Sequence, residues 1–353
     1  MAWDLTNSTP SDETVLTNND VYFSYAQRQI LASIVGIVSV LGIVGNTLVI
    51  LAVALSRKLR HTTNYLVVNL SVADLLTSLS LPMNVLAVLK DAWPLPDILC
   101  IGTGVVFITC LMCSINCLAC VAVNRYILIT KPSALYRRLY TSRRTALIII
   151  CAWLLPLCIA VIPASTGYIK VGFDPQFFSC SWVVSESDPG YYYVLFSSCP
   201  VQLSVVAWSY GSILYHVRKH TRAVGHMDRS ASGESDTAKT GEVPGNHAPH
   251  FAPGKQKRKL QIEVTKNLFY VVCAFLICTA PCCISLLLGK SGLRLYPIGV
   301  TLLCCNSCVN PIIYAAKHPQ FRLVMKSIIL CRFSDIPERI HFWRFCPRCE
   351  ACQ

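Results

Sequence analysis

The sequence predicts an all-α membrane protein: a seven-transmembrane helix bundle with a short amphipathic eighth helix. Three observations carry this. Seven apolar runs of bilayer-crossing length alternate with polar segments. Charged residues make up 14% of the 353-residue chain and hydrophobic residues 54%, whereas a soluble domain carries about a quarter charged. Basic residues also crowd the segments after the first, third, fifth and seventh runs, among them Arg57, Lys58, Arg60, Arg137, Arg138, Arg143, Arg144, Lys257, Arg258, Lys317, Arg322 and Lys326. The alternate segments are acidic or sparse (Asp12, Glu13, Asp20; Asp91, Asp97; Asp174, Glu186, Asp188). That asymmetry places the N-terminus outside and the C-terminus inside.

Residues 1–29 are polar and read as an extracellular tail, without the basic segment and short apolar core of a signal peptide. Asn7-Ser8-Thr9 fits the N-glycosylation pattern, with a chance match as the alternative. The membrane domain is expected over 30–330. Its first span, 30–55, has Asn46 as its one strongly polar interior residue. The second, 64–89, contains LSVADLL and places Asp74 near the membrane centre, where a carboxylate must be paired, hydrated, ion-bound or protonated. Asn69-Leu70-Ser71 also fits the glycosylation pattern but lies inside this span and is rejected.

The third span is the one the others are expected to pack around. Cys100 and Arg125 at its ends are about 37 Å apart on a helix, slightly more than the roughly 30 Å hydrocarbon core. Ser114 and Asn116 inside it must face protein, not lipid. The fourth span covers 146–162, with Trp153, Pro156 and Pro163 in or beside it. A long outside loop, 164–188, carries Cys180, and the fifth span covers 191–217. Residues 219–259 read as a flexible third cytoplasmic loop, because the composition turns to Gly, Ser, Asp, Thr, Pro and His. The sixth span, 265–288, contains FLICTAP, and the seventh, 295–316, ends in NSCVNPIIY. The stretch 317–330 alternates apolar and basic residues as an interfacial helix does. Cys331 follows it, as a palmitoylation site or a free thiol.

Residues 331–353 read as a cysteine-rich cytoplasmic tail. Its Cys346, Cys349 and Cys352 have metal-like spacing, with His341 nearby. Lipid attachment or a disordered tail is the preferred reading, so no metal site is assigned. The net charge of +13 is accounted for by topology and contact with anionic membrane lipids, so nucleic-acid binding is not expected. Of the 20 cysteines most lie inside apolar runs, where the residue acts as a small hydrophobe. Cys100 and Cys180 alone fall where an oxidising compartment is predicted. There is no paired acid and base, nucleophile triad or nucleotide loop, so an enzyme is not expected and no cofactor is required. A transporter is the weaker alternative, since the halves show no internal repeat.

GNTLVIL around Asn46, LSVADLL around Asp74, Cys100 ahead of Asn124-Arg125-Tyr126, Trp153, Cys180, Phe275 with Pro281, and the run Asn310-Pro311-Ile312-Ile313-Tyr314 follow in order, one per span or loop. From about residue 30 to 330 the chain resembles the rhodopsin-like G protein-coupled receptors. Within them KLRHTTNYLVVNLSVADLL, the NRY form, LYTSRR, FDPQFFSC and NSCVNPIIYAAKHPQFR are most similar to the melatonin receptors.

The resemblance implies a plasma-membrane receptor that takes an extracellular ligand and activates a heterotrimeric G protein. The inhibitory class is the best match, and arrestin and receptor kinases are further partners. It implies a disulfide between Cys100 and Cys180. It implies a sodium-binding cluster of Asp74, Ser114, Asn306, Ser307 and Asn310, with a water-filled polar network as the alternative. It implies that Arg125 switches between an inactive-state contact and the G protein, with Glu263 a candidate partner and an arginine extended to the membrane interface as the alternative. Tyr210 and Tyr314 are the tyrosines that turn inward, and Pro281 and Pro311 the kink points.

The implied ligand pocket is lined by Phe107, Ile108, Leu111, Trp182, Ser198, Thr279, Cys282, Cys283, Val300 and Cys304. Amine receptors need an Asp where Phe107 stands, and opsins a Lys where Cys304 stands. The indole anchors of melatonin receptors are replaced by Ala164, Val184 and Ser198, so melatonin itself is not the expected ligand. A neutral lipophilic ligand is expected from this apolar lining. A peptide agonist reaching Arg294 and Lys170 is the alternative.

Overall fold

The computed structural model describes residues 23–167, 170–175, 177–182, 201–219, 253–292 and 294–340. Helix α1 spans Tyr25–Leu55, α2 Thr62–Lys90, α3 Asp97–Thr130, α4 Ser133–Leu139 and α5 Ser142–Ser165. Helix α6 covers residues 201–219. Helix α7 spans Pro253–Leu287, α8 Tyr296–Lys317 and α9 Pro319–Ile329. Helices α1, α2, α3, α5 and α8 are each long and apolar enough to cross a bilayer, and α7 has its apolar stretch at Phe269–Ser285. With α6 they form the seven-helix transmembrane bundle, while α4 lies in a loop and α9 is the short eighth helix of the sequence reading.

Side-chain chemistry sets the ends of these helices. The Ser24 hydroxyl accepts from the Gln27 amide and the Gln27 side chain accepts from the Ser24 amide, a reciprocal cap that starts α1 five residues earlier than hydropathy indicates. The Thr141 hydroxyl accepts from the Arg144 amide and starts α5. Imidazole Nδ1 of His318 accepts from the Phe321 amide at 3.4 Å and starts α9. Residues 253–259, expected in the flexible loop, are the first two turns of α7. Their basic run continues the helix beyond the apolar stretch, which a hydropathy reading alone cuts short.

Helix α3 packs against α2, α5 and α7, and α1 packs against α2 and α8. Gly45 and Gly299 permit two close approaches to α8 and α7. A Cβ on Gly45 would lie 2.6 Å from Pro311, and one on Gly299 would lie 2.7 Å from the Cys282 backbone. The core runs along the bundle through Val49, Leu66, Leu70, Ile115, Leu118, Val271, Phe275 and Tyr314. At the interior, Asn46 donates to the carbonyls of Gly42 and Ser307 at 2.9 and 2.8 Å, tying α1 to α8. Asn69 is buried, donates to Cys117 Sγ and accepts from the Trp153 indole at 2.7 Å, so it is a packing residue of α2.

Two further segments differ from the sequence reading. The loop after α5 contains a hairpin, β1 Val171–Asp174 and β2 Ser179–Trp182, antiparallel with Phe173 opposite Cys180. The beginning of the expected cysteine-rich tail is also folded. Residues 331–340 turn back onto the α1–α2 connection, where the Arg57 amide donates to the Glu338 carbonyl at 3.1 Å and the Ile340 amide to the Leu55 carbonyl at 2.9 Å. The Ser56 hydroxyl donates to the Pro337 carbonyl at 2.7 Å, and Ile336 is 4% exposed within the main core.

Candidate functional site

Three groups of residues lie along the bundle axis. At one end Cys100, in the first turn of α3, is bonded to Cys180 in β2. This holds the hairpin against a cavity that Phe177, Phe178 and Ser181 help to line. The Cys180 amide donates to Asn84 Oδ1 at 3.0 Å, so α2 holds the same strand. Phe177 of the hairpin packs on Tyr296 of α8 with ring centroids 4.7 Å apart.

The cavity lies among α1, α2, α3, α8 and the hairpin, nearer α1 than the sequence reading placed it. Of the expected lining, Phe107, Val300 and Cys304 are there. Ile108, Leu111, Thr279, Cys282 and Cys283 do not line it. Ile108 instead packs with Ala160 of α5, and Cys282 is buried where α7 meets Gly299. Trp182 is placed only as the last residue of β2, and Ser198 lies outside the described residues. Leu31, Ala32 and Val35 from α1 and Val85 and Val88 from α2 take their places. The sequence reading also missed Arg28, which lines this cavity, forms an ion pair with Asp91 and sits 4.2 Å from the Phe178 ring centroid. The two residues are 63 apart and join the first turn of one helix to the C-cap of another, a pairing that periodicity does not reveal.

Midway along the axis, Asp74 is 1% exposed. Its Oδ1 accepts from the Ser114 hydroxyl at 3.0 Å and its Oδ2 from the Asn310 amide at 2.6 Å. Asn306 and Ser307 are buried on the same helix as Asn310, and the Asn306 and Asn310 Oδ1 atoms are buried without partners. One carboxylate with several neutral oxygens is a donor set for a hard monovalent or divalent cation. Among the described residues no group of three His, Cys, Asp or Glu side chains comes together to hold a metal. The oxygen-rich, singly acidic set fits sodium better than a transition metal.

At the far end, Arg125 is 6% exposed and its Nε has no partner. It is therefore an interior residue and not one extended to the bilayer surface. The hydroxyls of Tyr210 and Tyr314 are likewise buried without partners, and both rings lie close enough to Arg125 to feel its charge. Asn124 bonds elsewhere: its Oδ1 accepts from the Thr63 hydroxyl at 2.6 Å, and its amide donates to the Tyr136 hydroxyl at 3.3 Å. It thereby joins α2, α3 and α4. Tyr126 packs against Trp208 of α6 at a tilt of 55°, with centroids 4.7 Å apart. Phe275 is 1% exposed in the core, and Pro281 and Pro311 lie inside α7 and α8, each removing one backbone donor from its helix. Tyr314 stacks on Phe321 of α9 at 5.7 Å. Cys331 is exposed, in the left-handed turn that ends α9. Asn7, Cys346, Cys349 and Cys352 lie outside the described residues, as does the side chain of Glu263.

Comparison with known proteins follows the same outline. Residues 45–314 match the family described as 7 transmembrane receptor (rhodopsin family). The human alpha-1A adrenergic receptor is 27% identical over 349 residues, covering 91% of this chain and 73% of that receptor. The GQ-coupled rhodopsin of Mizuhopecten yessoensis is 26% identical over 331 residues, covering 90% and 60%. Squid rhodopsin superposes with a TM-score of 0.72 at 20% identity over 89% of this chain and 88% of that one, which establishes a shared fold.

Proposed function

The chain belongs to the rhodopsin family of seven-transmembrane receptors, and on that premise we propose that it is a ligand-activated receptor of the plasma membrane. In this reading the disulfide end is extracellular and the Arg125 end couples to a heterotrimeric G protein, with the inhibitory class as the first to test. Arrestin and receptor kinases are the expected further partners at the same end. The observation that carries the reading is the set of buried polar groups left unpaired around Arg125, namely its own Nε and the Tyr210 and Tyr314 hydroxyls. An unpaired buried polar group costs about 1–3 kcal/mol, so a rearrangement or an inserted partner that satisfies these groups is favoured. A G protein segment entering this end is such a partner.

The ligand is a neutral lipophile held in the apolar cavity behind the disulfide-linked hairpin. The names of the relatives do not transfer their ligands. Phe107 stands where amine receptors carry Asp, and Cys304 where opsins carry the Lys that holds retinal. The melatonin-receptor likeness rests on the cytoplasmic motifs and the hairpin sequence, and Ala164, Val184 and Ser198 remove the indole anchors. Asp74, Ser114, Asn306, Ser307 and Asn310 would hold a sodium ion, which supplies positive charge to balance Asp74. These residues link α2, α3 and α8, so a change in their bonding is felt by three helices together. The test is a G protein dissociation assay in cells, with and without panels of lipids, indoles and peptides. Dissociation that depends on the receptor and rises with a lipid supports the reading. Silence in every condition, at normal surface expression, contradicts it.

A further inference from the structure

We propose that Arg28 reads the polar end of the ligand, and that this ligand is a neutral lipophile with a hydrogen-bond-accepting oxygen, a carbonyl or ether, at one end. The proposal rests on the receptor reading above and deepens it. The cavity walls are alkyl and aromatic, with Leu31, Val35, Val85 and Val300 among them. The polar side chains that line it are largely committed to the protein. Asn84 Oδ1 accepts from the Cys180 amide at 3.0 Å, and the Thr301 hydroxyl donates to the Pro297 carbonyl at 2.8 Å. Ser181 and Tyr296 also have partners.

Arg28 is different. One nitrogen of its guanidinium is bonded to Asp91, and its face lies over Phe178. Its Nε is buried with no partner, the one such donor among the described residues lining this cavity. A buried N–H without an acceptor is a defect that a ligand oxygen repairs. Charge decides which oxygen. Asp91 already balances the Arg28 cation, so a ligand carboxylate would compete with Asp91 and would not meet a free positive charge. A ligand ammonium brings no acceptor for Nε–H. A neutral carbonyl or ether oxygen pairs with Nε–H and leaves the site electroneutral. The aromatic face of Phe178, held in a left-handed turn (φ 50°), fixes the guanidinium plane and so the direction of that donor.

The test uses the full-length receptor in lipid nanodiscs with four probes of one chain length: methyl dodecanoate, dodecanoic acid, dodecylamine and dodecane. Tritiated methyl dodecanoate is measured by saturation binding against empty discs, and the others by competition. Arg28→Lys keeps the charge and the Asp91 partner but removes Nε–H. The double variant Arg28→Leu, Asp91→Leu removes both charges together. Each variant is first checked for the Cys100–Cys180 bridge and a monodisperse profile. The expected result is saturable ester binding that weakens about tenfold in both variants, the equivalent of one hydrogen bond. The acid, amine and alkane should compete at least tenfold less well. Unchanged ester affinity in both variants, tighter binding of the acid or amine, or no saturable binding of any probe would overturn the proposal. Basal nucleotide exchange by added G protein, measured on the same discs without probe, tests the receptor reading separately.

Discussion

The two ends of the bundle are closed by different chemistry. At the disulfide end a covalent bond ties β2 to α3, a side-chain bond ties β2 to Asn84 of α2, and an ion pair ties α1 to Asp91. At the Arg125 end the links are hydrogen bonds and stacked rings: Thr63 to Asn124, Asn124 to Tyr136, and Tyr314 on Phe321. Beside them Arg125 Nε and the Tyr210 and Tyr314 hydroxyls are buried with no partner, as Arg28 Nε is at the other end. The first end is built to keep its shape. The second consists of contacts worth about 1 kcal/mol each, which can be exchanged at small cost. A helix bundle closed in this way moves at the end where its bonds are weak, and Pro281 and Pro311 weaken α7 and α8 between the two ends.

The largest effect should come from breaking the rigid end. Cys180→Ser removes the bridge to α3, and losing a native disulfide typically costs about 2–5 kcal/mol. Surface immunostaining should fall to near background, and normal staining with a free Cys100 thiol would remove the basis of the comparison. Next is Asp74→Asn, at the junction of the two halves. It keeps the shape and both hydrogen-bonding neighbours but removes the one charge that a sodium ion would balance. Any dependence of agonist affinity on sodium should disappear while expression persists, and retained dependence would move the ion site elsewhere.

Two further variants probe the exchangeable end. Ile336→Ala empties a core position that is 4% exposed, and such truncations cost about 2–5 kcal/mol. The fold-back of residues 331–340 should loosen first, seen as faster proteolysis near Cys331 and a lower melting temperature, with the disulfide intact. Asn124→Ala deletes the bonds to Thr63 and Tyr136, and should cost about 1–2 kcal/mol in thermal melts. It should raise basal G protein activation, because α4 is released from α3. A further effect is on pH. Burial pushes His318, outside the membrane spans, from 6.5 to about 4, with the Arg125 charge adding to the shift. The unfolded chain therefore binds a proton that the folded one excludes between these values. Stability from this group is fully present above pH 6.5 and falls as pH drops toward 4. Protonation also removes the Nδ1 acceptor that caps α9. Melting temperatures across pH 4–7 should show this slope in the parent chain and lose it in His318→Asn.

The spans were legible because a bilayer imposes length and apolarity on every crossing, and Asp74 and Asn310 stood out because each belongs to a short motif, LSVADLL and NSCVNPIIY. The fold-back of 331–340 was not. FSDIPER reads as a polar tail, and only Ile336 enters the core, held by backbone bonds to Leu55 and Arg57 and by the Ser56 hydroxyl, which no periodic pattern encodes. The cavity was legible in part. Phe107, Val300 and Cys304 lie on α3 and α8 as expected, but the walls from α1 and the Arg28–Asp91 pair arise from how distant helix ends meet. Asn124 was legible as part of the Asn124-Arg125-Tyr126 motif, but its hydrogen bonds to Thr63 and Tyr136 were not.

The most direct measurement compares motion at the two ends in one molecule. Non-canonical amino acids carrying spin labels would replace Thr130 and Tyr270 at the Arg125 end, and Leu99 and Leu295 at the disulfide end. Distances would be read with and without nucleotide-free G protein. The account predicts a lengthened 130–270 distance and an unchanged 99–295 distance when G protein is present. An unchanged 130–270 distance, or an equal shift at both ends, would contradict it.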